Sequence, residues 1–568
     1  MLKAYIINFL MIVILFSFQF PLYGTNWYVS PNGNDLNSGN LNSPFKSLKH
    51  AILKAEVGDI IELRNGIYTS DEIKIEIDNL TIRSYQSEWA IIKAPIDKGE
   101  EIASCLWYSN EKTRGGTLQR LEIIGGAFYG VKFESNWNWG LPNNQRSGAS
   151  GIKLIQCKIH DTGRDCIKIA PGCNDISIIS CEIYNSGIGP ENSEQNGGPN
   201  AEGIDNVNGS RMMVQNCYFH DISTNGLYAK GGAVGCIIEG NLFRNMGEAG
   251  IGVGFYTDGE WFDENTNPKY YESINTIVRN NIVINTKHGG IVIVGAKGCK
   301  IYNNTIVTAS LIYHAPLTFL SGEVGIDENI TFHPVSSDLL IINNIFVDLS
   351  PSGDEDYTML IRKNALEGNN VIDHNIYYKS NGKPILFDDG DWPVKKFNDW
   401  KARGYDTHGY QIDPLMNSEM NLASNSPAVD KGKFISELIN DYDGKPRIGA
   451  IDIGANEFGN GTPLPLPPPS SVIGTGAQGI TSAIDGKIIN EPKVIYYPNP
   501  ADKSVTINMS GCENCKFQLL DIAGNLVATS QDSVIQTEKL MEGFYFIKMM
   551  NSSNKISNSQ KIIIYHPK

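Results

Sequence analysis

Cys157-Lys158-Ile159 returns as Cys181-Glu182-Ile183, Cys217-Tyr218-Phe219 and Asn241-Leu242-Phe243. It continues as Asn281-Ile282-Val283, Asn304-Thr305-Ile306, Asn344-Ile345-Phe346 and Asn375-Ile376-Tyr377. Successive copies stand 24, 36, 24, 40, 23, 40 and 31 residues apart. The shortest step is the repeat, and the longer ones are one repeat plus an inserted loop. Each unit holds short β-rich strands separated by Gly, Asn or Ser, and it cannot bury its apolar face except by stacking on its neighbours. Helical patterns of roughly 10–12 residues between the strands are missing, which argues against leucine-rich repeats and a doubly wound sheet. A propeller blade would take roughly 40–50 residues. The step fits a parallel β-helix with three short strands per turn.

A second register aligns within each turn. Gly203-Ile204-Asp205, Gly226-Leu227-Tyr228 and Gly250-Ile251-Gly252 match Cys166-Ile167-Lys168 before them and Gly290-Ile291-Val292 after them. Ile167, Ile204, Leu227, Ile251 and Ile291 form one inward stack. Because side chains alternate across a strand, Lys168, Asp205 and Tyr228 point outward at one level, with Lys230 two residues further on. Asp165 and Glu202 each precede the inward isoleucine by two, so they stack on adjacent turns. Loops at about 188–201, 256–273, 308–338 and 348–368 interrupt the repeat and can build a binding face on a rigid scaffold.

Composition sets the bounds. Of 568 residues, 41% are hydrophobic and 19% charged, which excludes a disordered chain. Lys+Arg is 47 against Asp+Glu 62, a net charge of −15. That speaks against a nucleic-acid or anionic-membrane binder, while leaving room for a local basic cleft. Lys3 and the apolar run from Tyr5 to Phe20, ending at Gly24, read as an export signal over residues 1–24. The solenoid is expected over 25–458, with a mixed C-terminal closure from 379. A proline-rich linker follows at 459–487, semi-rigid by composition. Residues 488–568 alternate short strands and turn signals, a small β-sandwich by pattern. The fold class is therefore all-β. Cys157, Cys181 and Cys217 read as inner-face packing. Cys166 with Cys173, or Cys512 with Cys515, could pair in an oxidising compartment, but a zinc site is not expected from them.

Two resemblances add to this. Tyr497-Pro498-Asn499-Pro500, Asp521-Ile522-Ala523-Gly524, Gly543-Phe544-Tyr545-Phe546-Ile547-Lys548 and Lys561-Ile562-Ile563-Ile564 resemble the C-terminal sorting domain of bacterial type IX secretion. That implies recognition by the type IX machinery and passage through the outer membrane, followed by release or surface attachment. The body, from "WYVSPNGNDLNSGNLNSPFKSL" at Trp27 and "GDIIELRNGIY" at Gly58, resembles secreted right-handed parallel β-helix proteins. The run Asp165 to Lys230 resembles polysaccharide lyase family 9, pectate-lyase-like enzymes that use calcium and a lysine base. The resemblance implies Ca²⁺ ligands at Asp165, Glu202 and Asp205 and a catalytic Lys230. Where that family has a further Asp, this chain has Ala201.

The residue types suit the chemistry. Eliminative cleavage of a uronic-acid polymer removes the C5 proton, α to a carboxylate that must be neutralised. A hard cation held by several carboxylates does this, and a base must reach C5–H. Positive charge and partial desolvation favour the neutral amine of a lysine. Lys168, Tyr228, Arg244 and Tyr256 are candidate substrate contacts. Arg164, Lys287 and Lys297 are further cleft cations, and Trp261, Tyr270 and Tyr271 further sugar-stacking rings. The same side chains also admit a surface ion-pair ladder of Lys168 and Asp205. They admit, too, a glycoside hydrolase using two of the carboxylates, or a non-catalytic polysaccharide-binding protein. His160-Asp161 and His220-Asp221 recur at one offset, which reads as turn structure. The expected partner is an acidic polysaccharide, with no nucleic acid, and the chain is expected to be a monomer.

Overall fold

The structure is a computed structural model. It describes residues 24–459 apart from 137–144, 194–198, 308–313, 328–329, 349–356, 380–384, 391–394, 445 and 448, and parts of 495–564. All but the last residue of the expected export signal at 1–24 and most of the linker lie outside the described residues, as do Cys512 and Cys515. No helix among the described residues is long and apolar enough to cross a membrane.

The repeat winds into a parallel β-helix. Three 12-stranded sheets run its length, each taking one strand per turn, and a 5-stranded sheet from Ala233–Val234 to Leu366–Glu367 widens one side. Pairing along the solenoid is parallel, and Leu386–Asp388 meets Lys395–Lys396 antiparallel at its end. The inward stack is in register: Ile167 with Ile204, Ile204 with Leu227, Leu227 with Ile251, and Ile251 with Ile291. All five are fully buried. Each such side chain contributes about 1.5–3 kcal/mol of burial, which a single turn could not gain alone.

The recurrent Cys/Asn position is a ladder that changes chemistry midway. The backbone N–H of Cys157 donates to Cys181 Sγ, that of Cys181 to Cys217 Sγ, and that of Cys217 to Asn241 Oδ1 at 2.9 Å. From Asn241 the carboxamides bond rung to rung: Nδ2 of Asn241, Asn281, Asn304 and Asn344 donates to the next Asn Oδ1 at 2.9–3.0 Å. Asp406 ends the series, accepting from Asn375 at 3.0 Å, Tyr377 at 2.8 Å and Trp400 at 2.9 Å. The residue before each ladder position turns the corner with left-handed φ, from Gln156 at 54° to Asn343 at 58°. Asn and Asp tolerate that conformation best among non-glycine residues.

The ends are covered. At the N-terminus, helix Leu48–Lys54, capped by Ser47, buries Leu48, Ala51 and Ile52. At the other end, helix Phe397–Ala402 sets Trp400 against Phe387, centroids 5.5 Å apart. The expectation that 379–458 is simply a closure needs correction. After the cap, the chain returns along the outside of the solenoid. Amides of Asn280, Asn303 and Asn343 donate to the carbonyls of Asn440, Asp452 and Lys433 at 2.7–2.9 Å. The left-handed corners leave these amides facing outward, and the returning segment satisfies them. A Cys166–Cys173 disulfide is also corrected: the eight described cysteines are free and buried, each on its own rung position.

Residues 478–568 form a separate unit. Its described strands make a three-stranded antiparallel sheet (Ile495–Tyr497, Ser504–Asn508, Val534–Gln536) and a four-stranded one (Leu526–Ser530, Lys516–Leu520, Gly543–Met550, Gln560–Ile564).

Candidate functional site

Three adjacent turns of one sheet carry the site, on strands Ile167–Ile169, Ile204–Val207 and Leu227–Lys230. Asp165 and Glu202 lie just before the first two strands. The Glu202 backbone N–H donates to Asp165 Oδ1 at 3.0 Å, so the two residues are locked rung on rung. Glu202 Oε1 accepts from Thr224 Oγ1 at 2.9 Å and Asn225 Nδ2 at 3.4 Å. The Asn200 amide nitrogen donates to Glu202 Oε2 at 2.9 Å, while its oxygen accepts from the Arg164 guanidinium. Asp205 faces Lys168 in register and forms an ion pair with it, leaving Oδ1 buried without a hydrogen-bond partner.

One oxygen each from Asp165, Glu202 and Asp205 falls within 4.8 Å of the other two, and all three residues are buried. Their exposures are 1%, 4% and 4%, so a solvated surface cluster does not describe them. The electrostatics follow. Asp165 is pushed well above the usual carboxylate range, first by burial and then by the charges of Glu202 and Asp205. Burial and then Asp205 raise Glu202 as well. For Asp205 burial works upward, but Lys168 and Lys230 outweigh it and hold the carboxyl low. Lys168, Lys230 and Arg164 offset the three acids only in part, since Asp165 and Glu202 both stay raised, and an acid left uncompensated in a dry place costs several kcal/mol when ionised. A divalent cation bound by oxygen relieves that cost, and the orphaned Asp205 Oδ1 is a ready ligand. These residues therefore fit a hard cation. Ala201 supplies none of this; it is fully buried, and its carbonyl accepts from Ser186 Oγ at 2.6 Å.

Lys230 ends the third strand. Its ammonium lies 4.3 Å from the Tyr228 ring centroid and 5.6 Å from that of Phe255, and it donates to the Tyr256 carbonyl at 3.4 Å. Tyr228 and Phe255 stack with centroids 5.4 Å apart. The amine thus rests on an aromatic wall beside the carboxylates, a contact of roughly 0.5–2 kcal/mol.

Glu272, absent from the residues expected at the site, lies beneath it. It is fully buried, and its Oε2 accepts from Gly231 N–H and from Thr257 Oγ1, both at 2.7 Å, while Oε1 has no partner. Burial is the first cause that pushes its pKa to about 8. Gly231 follows Lys230 and Thr257 follows Tyr256, so one carboxyl oxygen sets both ends of the Lys230–Tyr256 contact. An acidic residue at the end of a loop gives no sequence signal for that.

Several expected substrate contacts are corrected. Tyr228 is 2% exposed, with its ring committed to Phe255 and Lys230, so it offers no free face to a sugar. Arg244 sits on Leu242–Met246, a strand of a different sheet, paired in register with His220 and Ile284. Lys168 is bound to Asp205 and little exposed. Lys297 pairs with Asp338. Tyr270 and Tyr271 are buried, Tyr270 packing with Phe262 and Val324 in a small core that joins the 256–273 loop to the strand Val324–Asp327. Tyr256 alone of these loop tyrosines is well exposed, at 43%. His160 and His220 sandwich Tyr184, with centroids 4.3 and 4.6 Å apart, and Asp161 and Asp221 turn the corners at φ 52°.

The solenoid and the C-terminal unit each match a known family. Residues 143–315 and 202–392 match the family described as a right handed beta helix region. Residues 495–565 match the secretion system C-terminal sorting domain. Over 85 residues the chain is 38% identical to an uncharacterized protein, YwoF, of Bacillus subtilis (strain 168), a stretch covering 14% of this chain and 17% of that protein's length. Among solved structures, pectate lyase Pel9A is similar at TM-score 0.47 and 17% identity, over 76% of this chain and 96% of that one. XylC in complex with xylose is similar at TM-score 0.44 and 11% identity, over 76% and 98%. A rhamnogalacturonan lyase follows at TM-score 0.41 and 13% identity, over 61% and 84%.

The chain is a right-handed parallel β-helix protein. It carries a C-terminal type IX sorting domain, so it is exported through the outer membrane and is secreted or attached at the cell surface.

Proposed function

We propose that the protein is a polysaccharide lyase that cleaves a uronic-acid-containing, pectate-like polymer by β-elimination. The observation that carries this reading is the convergence of three buried carboxylates one rung from an amine held on an aromatic wall. Asp165, Glu202 and Asp205 would hold Ca²⁺, which supplies Lewis-acid neutralisation of the substrate carboxylate on which charge develops. Lys230 accepts the C5 proton at Nζ. The C5–H electrons become the C4=C5 double bond, the C4–O bond breaks, and the departing sugar oxygen takes a proton from solvent. Tyr228, Phe255 and the Tyr256 carbonyl restrict where Nζ can stand. Tyr256, exposed and joined to Lys230 through its carbonyl, would offer a ring face to a sugar.

The carboxyl spacing bears on the hydrolase alternative. Acid/base pairs in glycosidases stand roughly 5–9.5 Å apart to admit sugar and water. Here one oxygen of each carboxylate lies within 4.8 Å of the other two, a spacing that suits ligation of a single ion. The test is to supply polygalacturonate, alginate and glycosaminoglycans, with and without Ca²⁺, and follow ultraviolet absorbance of the conjugated uronate product. Absorbance growth with Ca²⁺ is expected on at least one. New reducing ends without that absorbance would mean hydrolysis, and no cleavage of any of them would sink the reading.

A further inference from the structure

A second cluster of ligand-type side chains sits at the far end of the solenoid, apart from the carboxylate site. Asp373 ends the strand Val371–Asp373, and His374 follows in the left-handed corner at φ 58°. His408 precedes Tyr410–Gln411, and Ile376 pairs with Tyr410 in register. His374 and His408 therefore hold the same place on successive rungs. Their rings stack, centroids 4.7 Å apart and inclined by 22°.

Asp373 organises the cluster. Its Oδ1 accepts the backbone N–H of His374 at 2.9 Å and of His408 at 2.8 Å. That fixes the carboxylate and turns Oδ2 toward both imidazoles. Oδ2 lies 2.7 Å from His408 Nδ1 and 3.3 Å from His374 Nδ1. The His374 nitrogen is buried and makes no aligned hydrogen bond. One ligand atom from each residue falls within 4.8 Å of the other two.

The preceding corners show what is unusual here. Asn280, Asn303 and Asn343 occupy the same left-handed position and bind the returning segment through their amides. At His374 the carboxamide gives way to an imidazole, stacked on a second imidazole from the cap. Two imidazoles and a carboxylate are a borderline donor set, suited to zinc, nickel or copper more than to calcium. Ligand atoms about 2.0–2.1 Å from a tetrahedral ion lie roughly 3.3–3.5 Å apart. The Asp373–His374 spacing already has that value. His408 is 66% exposed, free to adjust, and leaves room for water as a further ligand.

We propose that Asp373, His374 and His408 bind a divalent transition-metal ion of the zinc type, and that the ion fastens the last turn of the solenoid to its C-terminal cap. The site would be separate in place and in metal class from the all-oxygen cluster at Asp165, Glu202 and Asp205.

The test uses tag-free, metal-stripped full-length protein titrated with Zn²⁺ by calorimetry and with Co²⁺ by visible absorption, both in excess Ca²⁺. One saturable Zn²⁺ equivalent is expected, with Co²⁺ bands of nitrogen coordination and a raised melting temperature. Asp205→Asn should retain all three. His408→Ala, at an exposed side chain, should weaken binding by about tenfold or more and abolish the thermal shift, and His374→Gln should do the same with the corner kept polar. Absence of saturable Zn²⁺ binding, or binding unchanged in both histidine variants, overturns the proposal. Because no step depends on polysaccharide cleavage, the outcome is independent of the lyase reading.

Discussion

The Glu272 carboxylate accepts a 2.7 Å hydrogen bond from the backbone nitrogen of Gly231, the residue after Lys230. A fully buried acid thereby fixes the strand end that carries the amine, and through Thr257 it also fixes the loop that carries Tyr256. Its pKa of about 8, against 4.5 for an exposed Glu, gives a signed consequence. Between those values the folded protein holds a proton that the unfolded chain has lost. The stabilisation is full below about pH 4.5, falls as pH rises, and is lost above about pH 8. Glu272→Gln removes that dependence. The stability of wild type relative to the variant should drop by roughly 3–5 kcal/mol from pH 4.5 to 8, read by urea unfolding across that range. A difference that stays flat with pH would contradict a raised Glu272.

Lys230→Ala should abolish elimination while leaving fold and polymer binding in place. The ammonium makes one long hydrogen bond and cation–π contacts with the Tyr228 and Phe255 rings, so the loss of stability should stay within about 2 kcal/mol. A general base contributes typically about 10²–10⁴-fold, and a fall in kcat of that order, with KM little changed, is expected. Turnover at the wild-type rate would remove Lys230 from the reaction.

Asp205→Asn should act twice. It leaves the half-buried Lys168 without its carboxylate partner, a loss of up to about 3 kcal/mol. It also removes one expected cation ligand. Ca²⁺ should raise the melting temperature of wild type but not of the variant, and exhaustive chelation should stop wild-type turnover. Activity that survives chelation would leave the carboxylates a structural role alone.

Asn304→Ala interrupts the corner ladder. Nδ2 of Asn304 donates to Asn344 and to the carbonyls of Val278 and Tyr302, while its Oδ1 accepts from Asn281. Removing it strands buried partners on both neighbouring rungs, at about 1–3 kcal/mol for each group left unsatisfied. Chemical denaturation should show a loss of several kcal/mol. Substitution of Lys153, an exposed position on the strand Lys153–Ile155, should cost little by the same measurement.

The sequence by itself determined the period, the inward stack and the order of the site residues. A strand alternates its faces every residue, and a 24-residue step repeats that alternation turn after turn. Ile167, Ile204 and Leu227 were therefore legible as one column, and Lys168, Asp205 and Tyr228 as another. The recurrence of Cys and then Asn at one place in each turn was legible for the same reason, and the C-terminal sorting motifs are local in sequence. Only the tertiary structure decided what the loops and the cap do, because those contacts join residues far apart in sequence without a period. It buried the Tyr228 ring beneath Lys230, moved Arg244 onto another sheet, and brought Glu272 across 41 residues to Gly231. It also laid Lys433, Asn440 and Asp452 along the Asn corners and set His408 over His374. Burial is likewise decided in three dimensions. Asp165, Glu202 and Asp205 read in sequence as three outward acids, and become a dry, charge-strained cluster only once neighbouring turns and loops remove the water.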